Sequence, residues 1–179
     1  QLPSTCSHDG EALGHSRSIM ERLMSLGVPC ELLHTQRRMH PEIVSFPNAA
    51  FYDGKLSTKY TPPSEDSVLC KAALPPYQIM NVANGAAESV GTSYKNVCEL
   101  ELACTMIADI LKKGIEDVVF LTPYAAQRDA MRAKTWNKVR CFTIESFQGR
   151  EADVVILSVV RTSDAHSGFW SDPRRANVA

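Results

Sequence analysis

Two hydrophobic periods divide the second half of the chain. Val97, Leu100, Cys104, Ile107, Ala108 and Leu111 recur at helical spacing, a stripe for one buried face. Asn96 stands where an N-cap belongs, Glu99 three residues on completes a capping-box pattern, and Lys112-Lys113-Gly114 is a C-terminal signature. The next apolar run, "DVVFL" (117–121), is continuous and rich in β-branched residues, as are "VRCFTI" (139–144) and "DVVILSVV" (153–160). Between the first two lies "YAAQRDAMRAK" (124–134), with a helical pattern. Strand, helix, strand, strand, with runs apolar on both faces, predicts an α/β fold with a parallel sheet covered by helices.

The first half is less regular. Ile19, Met20, Leu23, Met24 and Leu26 predict a helix over 17–26, closed by Gly27. "CELLHT" (30–35) is a short strand candidate. "HPEIVSFPNAAFY" (40–52) predicts a helix opening at Pro41, which Pro47 should end or kink. From 57 to 96 turn-forming and small polar residues dominate, with one short strand expected at "YQIMNV" (77–82) and surface loop elsewhere.

Composition narrows the class. Hydrophobic residues are 44% and charged residues 22% of 179, which is the balance of a globular domain. A net charge of −1 means that any nucleic-acid binding must come from a local patch. No apolar run reaches membrane-spanning length, and the start "QLPSTCSHDGE" has no signal-peptide core, so no membrane is expected as a partner. The six Cys form no metal-spaced cluster and are expected to be reduced and mostly packed, in an intracellular compartment, nucleus or cytoplasm. The chain begins with Gln and stops at "RRANVA", and it is expected to be a fragment of a longer polypeptide.

Ligands in parallel α/β sheets sit at the carboxyl ends of the strands. Four polar clusters follow the candidate strands: "TQRRMH", "TPY", "ESFQGRE" and "RTS". No Gly-x-x-x-x-Gly-Lys-Ser/Thr loop and no strand-end Asp-Glu pair for magnesium is present, so an autonomous hydrolase is not supported. Arginines and amides remain. An arginine supplied from outside a phosphate loop can stabilise a transferring phosphoryl group.

"QRRMHPEIVSFPNAAFYDGKL" (36–56), "VVFLTPYAAQRDAM" (118–131), "FTIESFQGREADVVILSVVRT" (142–162) and "GFWSDPRRANVA" (168–179), in that order, resemble the second RecA-like domain of a superfamily 1 helicase. The branch is the one containing the nonsense-mediated-decay helicase and senataxin. The resemblance implies a RecA-like P-loop NTPase fold without the P-loop itself, with 1–179 as one domain and 57–96 as a loop-rich insertion. It implies ATP between this domain and the first RecA-like domain of the same polypeptide, which would hold most of the Mg2+ contacts.

By the same resemblance, Arg38, Gln1 and Arg175 are the catalytic candidates. Gln36, Arg37, Gly149, Arg150 and Glu151 would line the nucleotide. Arg37 departs from the family's usual Tyr, although a guanidinium also stacks on a flat ring. Thr122, Pro123 and Tyr124, with Thr143, Ser146 and Gln148, would meet single-stranded RNA or DNA. No metal ligand is expected within the chain. The competing reading is a truncated, non-catalytic helicase-like domain that binds nucleic acid or protein.

Overall fold

In the computed structural model, residues 7–161 and 168–179 are described. Along the chain come α1 (His8–Ala12), α2 (Ile19–Ser25), β1 (Thr35–Gln36), α3 (Pro41–Phe51), β2 (Ser57–Thr58), α4 (Val68–Lys71), β3 (Glu88–Val90) and β4 (Ser93–Lys95). They are followed by α5 (Val97–Lys112), β5 (Val118–Thr122), α6 (Ala125–Lys134), β6 (Arg140–Thr143), α7 (Ile144–Phe147), β7 (Val154–Leu157), a 3-10 turn at Gly168–Ser171 and α8 (Pro173–Val178). The fold is α/β, with parallel sheets flanked by helices. The chain divides into two compact units: residues 62–171 in one, residues up to 61 with 172–178 in the other.

The larger unit is built on a three-stranded parallel sheet in the order β6-β5-β7. Every residue of β5 is buried, as expected of a central strand covered on both faces. Its core joins Leu100, Ala103, Ile107 and Ile110 of α5 to Phe120, Met131, Val139 and Cys141. The buried stripe of α5 therefore runs through Ala103 and Ile110, while Leu111 and Ala108 face outward. β7 departs from expectation more strongly. Its continuous apolar run predicts burial on both faces, but it is an edge strand with Val155 and Leu157 exposed on one side.

The stretch 77–82 is not a strand, and Tyr77, Ile79 and Met80 are exposed. A hairpin, β3–β4, forms instead where surface loop was expected. Gly91, in the turn between its strands, takes the left-handed conformation that tight hairpins require (φ +59°).

In the smaller unit, β1 and β2 pair in parallel. The strand at 30–35 is displaced: only Thr35 is in β1, because the hydrogen-bonding partner Ser57–Thr58 registers with 35–36. α3 has Pro41 in its first turn and runs through Pro47 to Phe51 without ending there. The turn after Pro47 is held from outside the helix. The Asn48 side chain receives Leu56 N–H (2.9 Å) and donates to Leu56 O (3.1 Å), which fixes the last turn. α8 packs on α3, and Asn177 Nδ2 donates to Tyr52 Oη at 3.0 Å.

α2 has the predicted helical period, and Ser18 caps it by accepting Glu21 N–H (3.1 Å), but it buries none of its residues. Ile19 is 74% exposed and Met24 57%. Among the described residues no helix is long and apolar enough to cross a membrane. Of the described cysteines, none of which is in a disulfide, Cys141 is buried as expected, whereas Cys30 and Cys70 are exposed. Burial pushes the Cys141 thiol up to about 11.

Candidate functional site

The parallel register brings three strand ends of the larger unit to one edge. Thr122 pairs with Thr143, and Leu121 with Leu157, so "TPY", "ESFQGRE" and the segment after β7 leave the sheet on the same side. Thr122 is fully buried, with its Oγ1 accepting Tyr124 N–H at 3.4 Å. Pro123 and Tyr124 are half-buried. Tyr124 gives α6 no side-chain cap, and Ser93 of β4 supplies one by accepting Ala126 N–H at 3.1 Å.

In "ESFQGRE" the structure has a helical turn, α7, and not a plain loop. Thr143 and Ser146 form a reciprocal capping box: Ser146 Oγ accepts Thr143 N–H (2.9 Å), and Thr143 Oγ1 accepts Ser146 N–H (3.4 Å). Their hydroxyls are therefore engaged in shaping the turn. Gln148, Gly149, Arg150 and Glu151 are exposed. Gly149 has φ +80°, and a Cβ there would meet nothing within 4 Å, so its backbone is open to close approach. The Arg150 guanidinium lies 5.1 Å from the centre of the Phe142 ring, a cation–π contact.

In the smaller unit, Gln36 closes the "QRRM" turn on itself. Its Oε1 accepts Met39 N–H (2.9 Å), and its Nε2 donates to Met39 O (2.8 Å) and Thr58 Oγ1 (3.0 Å). That leaves Arg37 and Arg38 exposed on the bend between β1 and α3. His40 caps α3 by accepting Glu42 N–H at its Nδ1 (3.3 Å) and meets the Tyr60 ring edge-on at 5.4 Å. Arg175, in α8, is half-buried. Its neighbour Arg174 forks onto Asp172 (2.9–3.3 Å), and that hydrogen bonding holds the Asp172 carboxyl below its ordinary range. Gln1 lies outside the described residues, as does Thr162. Among the described residues, no group of three or more His, Cys, Asp or Glu could hold a metal ion.

A connected group of polar side chains, mostly buried, was not among the sequence candidates. Asn96 N–H donates to Gln127 Oε1 (2.8 Å), and Gln127 Nε2 donates to Asn96 O (3.2 Å) and Ser158 Oγ (2.9 Å). Ser158 Oγ donates to Glu99 Oε2 (2.6 Å), and Val160 N–H donates to the same carboxylate (3.0 and 3.1 Å). Glu99 Oε1 also accepts from Asn96 Nδ2 (3.2 Å), so Glu99 reaches the side chain of the cap residue and not its N–H, and the capping box is not closed. The Asn96 cap itself holds, accepting Glu99 N–H at 3.2 Å, but its own N–H is taken by Gln127. Gly85 abuts this group, where an added Cβ would come within 2.9 Å of Asn96 Nδ2. The one signal in the sequence was the place of Gln127, four positions before Met131 and so on the same helical face; both are fully buried.

Residues 15–179 match the family model described as "AAA domain". The chain is 32% identical to "Regulator of nonsense transcripts 1 homolog" of Arabidopsis thaliana over 93% of its length, which is 15% of that protein. It is 33% identical to "ATP-dependent helicase NAM7" of Saccharomyces cerevisiae and to "ATP-dependent helicase upf1" of Schizosaccharomyces pombe. In each case the match covers 92% of this chain, against 19% and 20% of theirs. The chain thus spans between a seventh and a fifth of the length of these relatives.

Proposed function

Because the chain belongs to the AAA domain family, as a RecA-like helicase region of superfamily 1, we propose that it is the C-terminal motor domain of an ATP-dependent helicase. Residues 1–179 form one RecA-like domain with an insertion at 57–96, and the track is single-stranded RNA or DNA. The observation that carries this reading is the common edge of β5, β6 and β7, from which "TPY" and "ESFQGRE" both emerge.

ATP, when bound, supplies the γ-phosphoryl group that passes to water. The residues of this chain fit a phosphate more than a metal. The exposed Arg38 fork matches phosphate oxygens, and the open backbone at Gly149 admits close approach. Arg38, with Arg175 and Gln1, stabilises charge on the γ-phosphate, while Gln36 holds the turn that presents Arg37 and Arg38. The resemblance assigns Arg150 and Glu151 to the nucleotide and Mg2+ to the first RecA-like domain. Pro123 and Tyr124, on the turn that the buried Thr122 anchors, meet the strand with Thr143, Ser146 and Gln148, chiefly at its backbone. Binding is then salt-dependent and weakly sequence-specific.

In the full-length helicase, Arg38→Ala is expected to lower kcat for ATP on the order of a thousandfold with little change in nucleotide affinity. Steady-state hydrolysis beside equilibrium nucleotide binding measures both. An unchanged kcat would sink the assignment. The isolated chain is expected to turn over no ATP, and turnover that Arg38→Ala abolishes there would overturn that part.

A further inference from the structure

Among the described residues five non-glycine residues have positive φ, and Val160 (φ +71°) is the β-branched one. A branched Cβ makes this conformation costly, so surrounding contacts must hold it. Val160 is fully buried just past β7. Its N–H is gripped by the Glu99 carboxylate (3.0 and 3.1 Å) and its carbonyl accepts Asn96 Nδ2–H (3.2 Å). Both ends of the strained residue are thus fastened to the start of α5.

The next residue shows what the strain achieves. The left-handed turn sends the Arg161 guanidinium over the Tyr94 ring, 4.9 Å from its centre. Tyr94 in turn meets Tyr124 edge-to-face at 5.5 Å. The Tyr124 hydroxyl is buried and finds no hydrogen-bond partner among the described residues, so its position is set by this ring packing and not by a bond of its own. A chain of contacts therefore runs from Glu99 through Val160, Arg161 and Tyr94 to Tyr124.

We infer that Glu99 is a positioning residue for the strand-contact surface: by fixing the backbone at Val160 it aims Arg161 onto Tyr94 and so sets Tyr124. Tyr94 is the intermediary, carried on the β3–β4 hairpin that also caps α6. The inference rests on the reading of Thr122–Tyr124 as a single-strand contact.

The test uses the full-length protein and fluorescence anisotropy with labelled oligouridine and oligothymidine. Glu99→Gln keeps the size of the side chain but puts an NH2 against donors. It is expected to weaken strand binding about tenfold, the effect of losing one stacked or positioned aromatic contact. Tyr94→Ala is expected to do the same, and the double variant no worse than either alone, because one route carries both effects. A double variant weakened by the product of the single losses, or Glu99→Gln binding like wild type, would overturn the inference. Glu99→Gln with Val160→Gly should recover most of the loss, since glycine takes the left-handed turn unaided; no recovery also counts against it.

Should Glu99→Gln fail to fold, Ser158→Ala removes only one of its donors. A loss of about threefold is expected, again absorbed by Tyr94→Ala, and additivity overturns the inference. Tyr124→Ala separates the two readings. If it binds like wild type, the strand-contact reading falls and this inference falls with it. If it weakens binding while Glu99→Gln does not, the inference alone falls.

Discussion

The two units carry apolar residues at the same helical spacing and treat them in opposite ways. In the larger unit the stripe of α5 closes over β5, and Leu100, Ile107, Phe120 and Met131 are almost completely excluded from water. In the smaller unit Val44 is the one buried apolar side chain among the described residues other than glycine, while Leu13, Ile19, Met24, Leu26 and Leu33 are largely exposed. Periodicity thus specifies a helix, and burial needs a second layer to receive its face. β5 provides that layer because it has a strand on each side and helices packed upon it.

Substitutions can break this contrast. The largest effect belongs to Phe120→Ala, which removes a fully buried ring from the strand at the centre of the sheet. A loss of about 3–5 kcal/mol is expected in the denaturant unfolding of the larger unit. Gln127→Ala comes next. It leaves the Asn96 N–H without its partner in a buried position and should cost about 1–3 kcal/mol by the same measurement. The smallest effect is expected at Leu23→Gln in α2, within about 0.5 kcal/mol, because that side chain is not buried. A loss at Leu23 as large as that at Phe120 would erase the distinction between the units.

Sequence pattern was most informative where one local rule acted alone. Asn96 and Gly114 bracketed α5 closely, and the β-branched run at 117–121 marked β5, since cap chemistry and strand composition agree with the tertiary surroundings there. The pattern misled where a distant partner outbid a local one. Glu99 has the spacing of a capping box, yet Gln127 takes the Asn96 N–H, and the carboxylate is shared among the Asn96 side chain and Ser158 and Val160, about sixty residues away. Pro47 predicts an end or a kink in α3; the helix does not end there, and Asn48 ties the following turn to Leu56. The second face of β7 stayed hidden because an uninterrupted apolar run reads the same in a central strand and at an edge.

For the candidate site, the strand-end rule placed "TPY" and "ESFQGRE" at the ends of β5 and β6, and the roles proposed for them come from the resemblance. Neither could show that Thr143 and Ser146 cap each other, or that Gln36 folds back on Met39. Side chains that bond within three residues look the same in a sequence as side chains that reach outward.

The Asn96–Glu99–Gln127–Ser158 cluster has a consequence for how such a chain can change over generations. Each member satisfies another, so a lone replacement strands a donor or an acceptor away from water, whereas a coordinated exchange need not. The four positions form one heritable unit drawn from α5, α6 and the end of β7. Drift there would proceed by compensated steps, and in a collection of diverged sequences their substitutions would be expected to travel together.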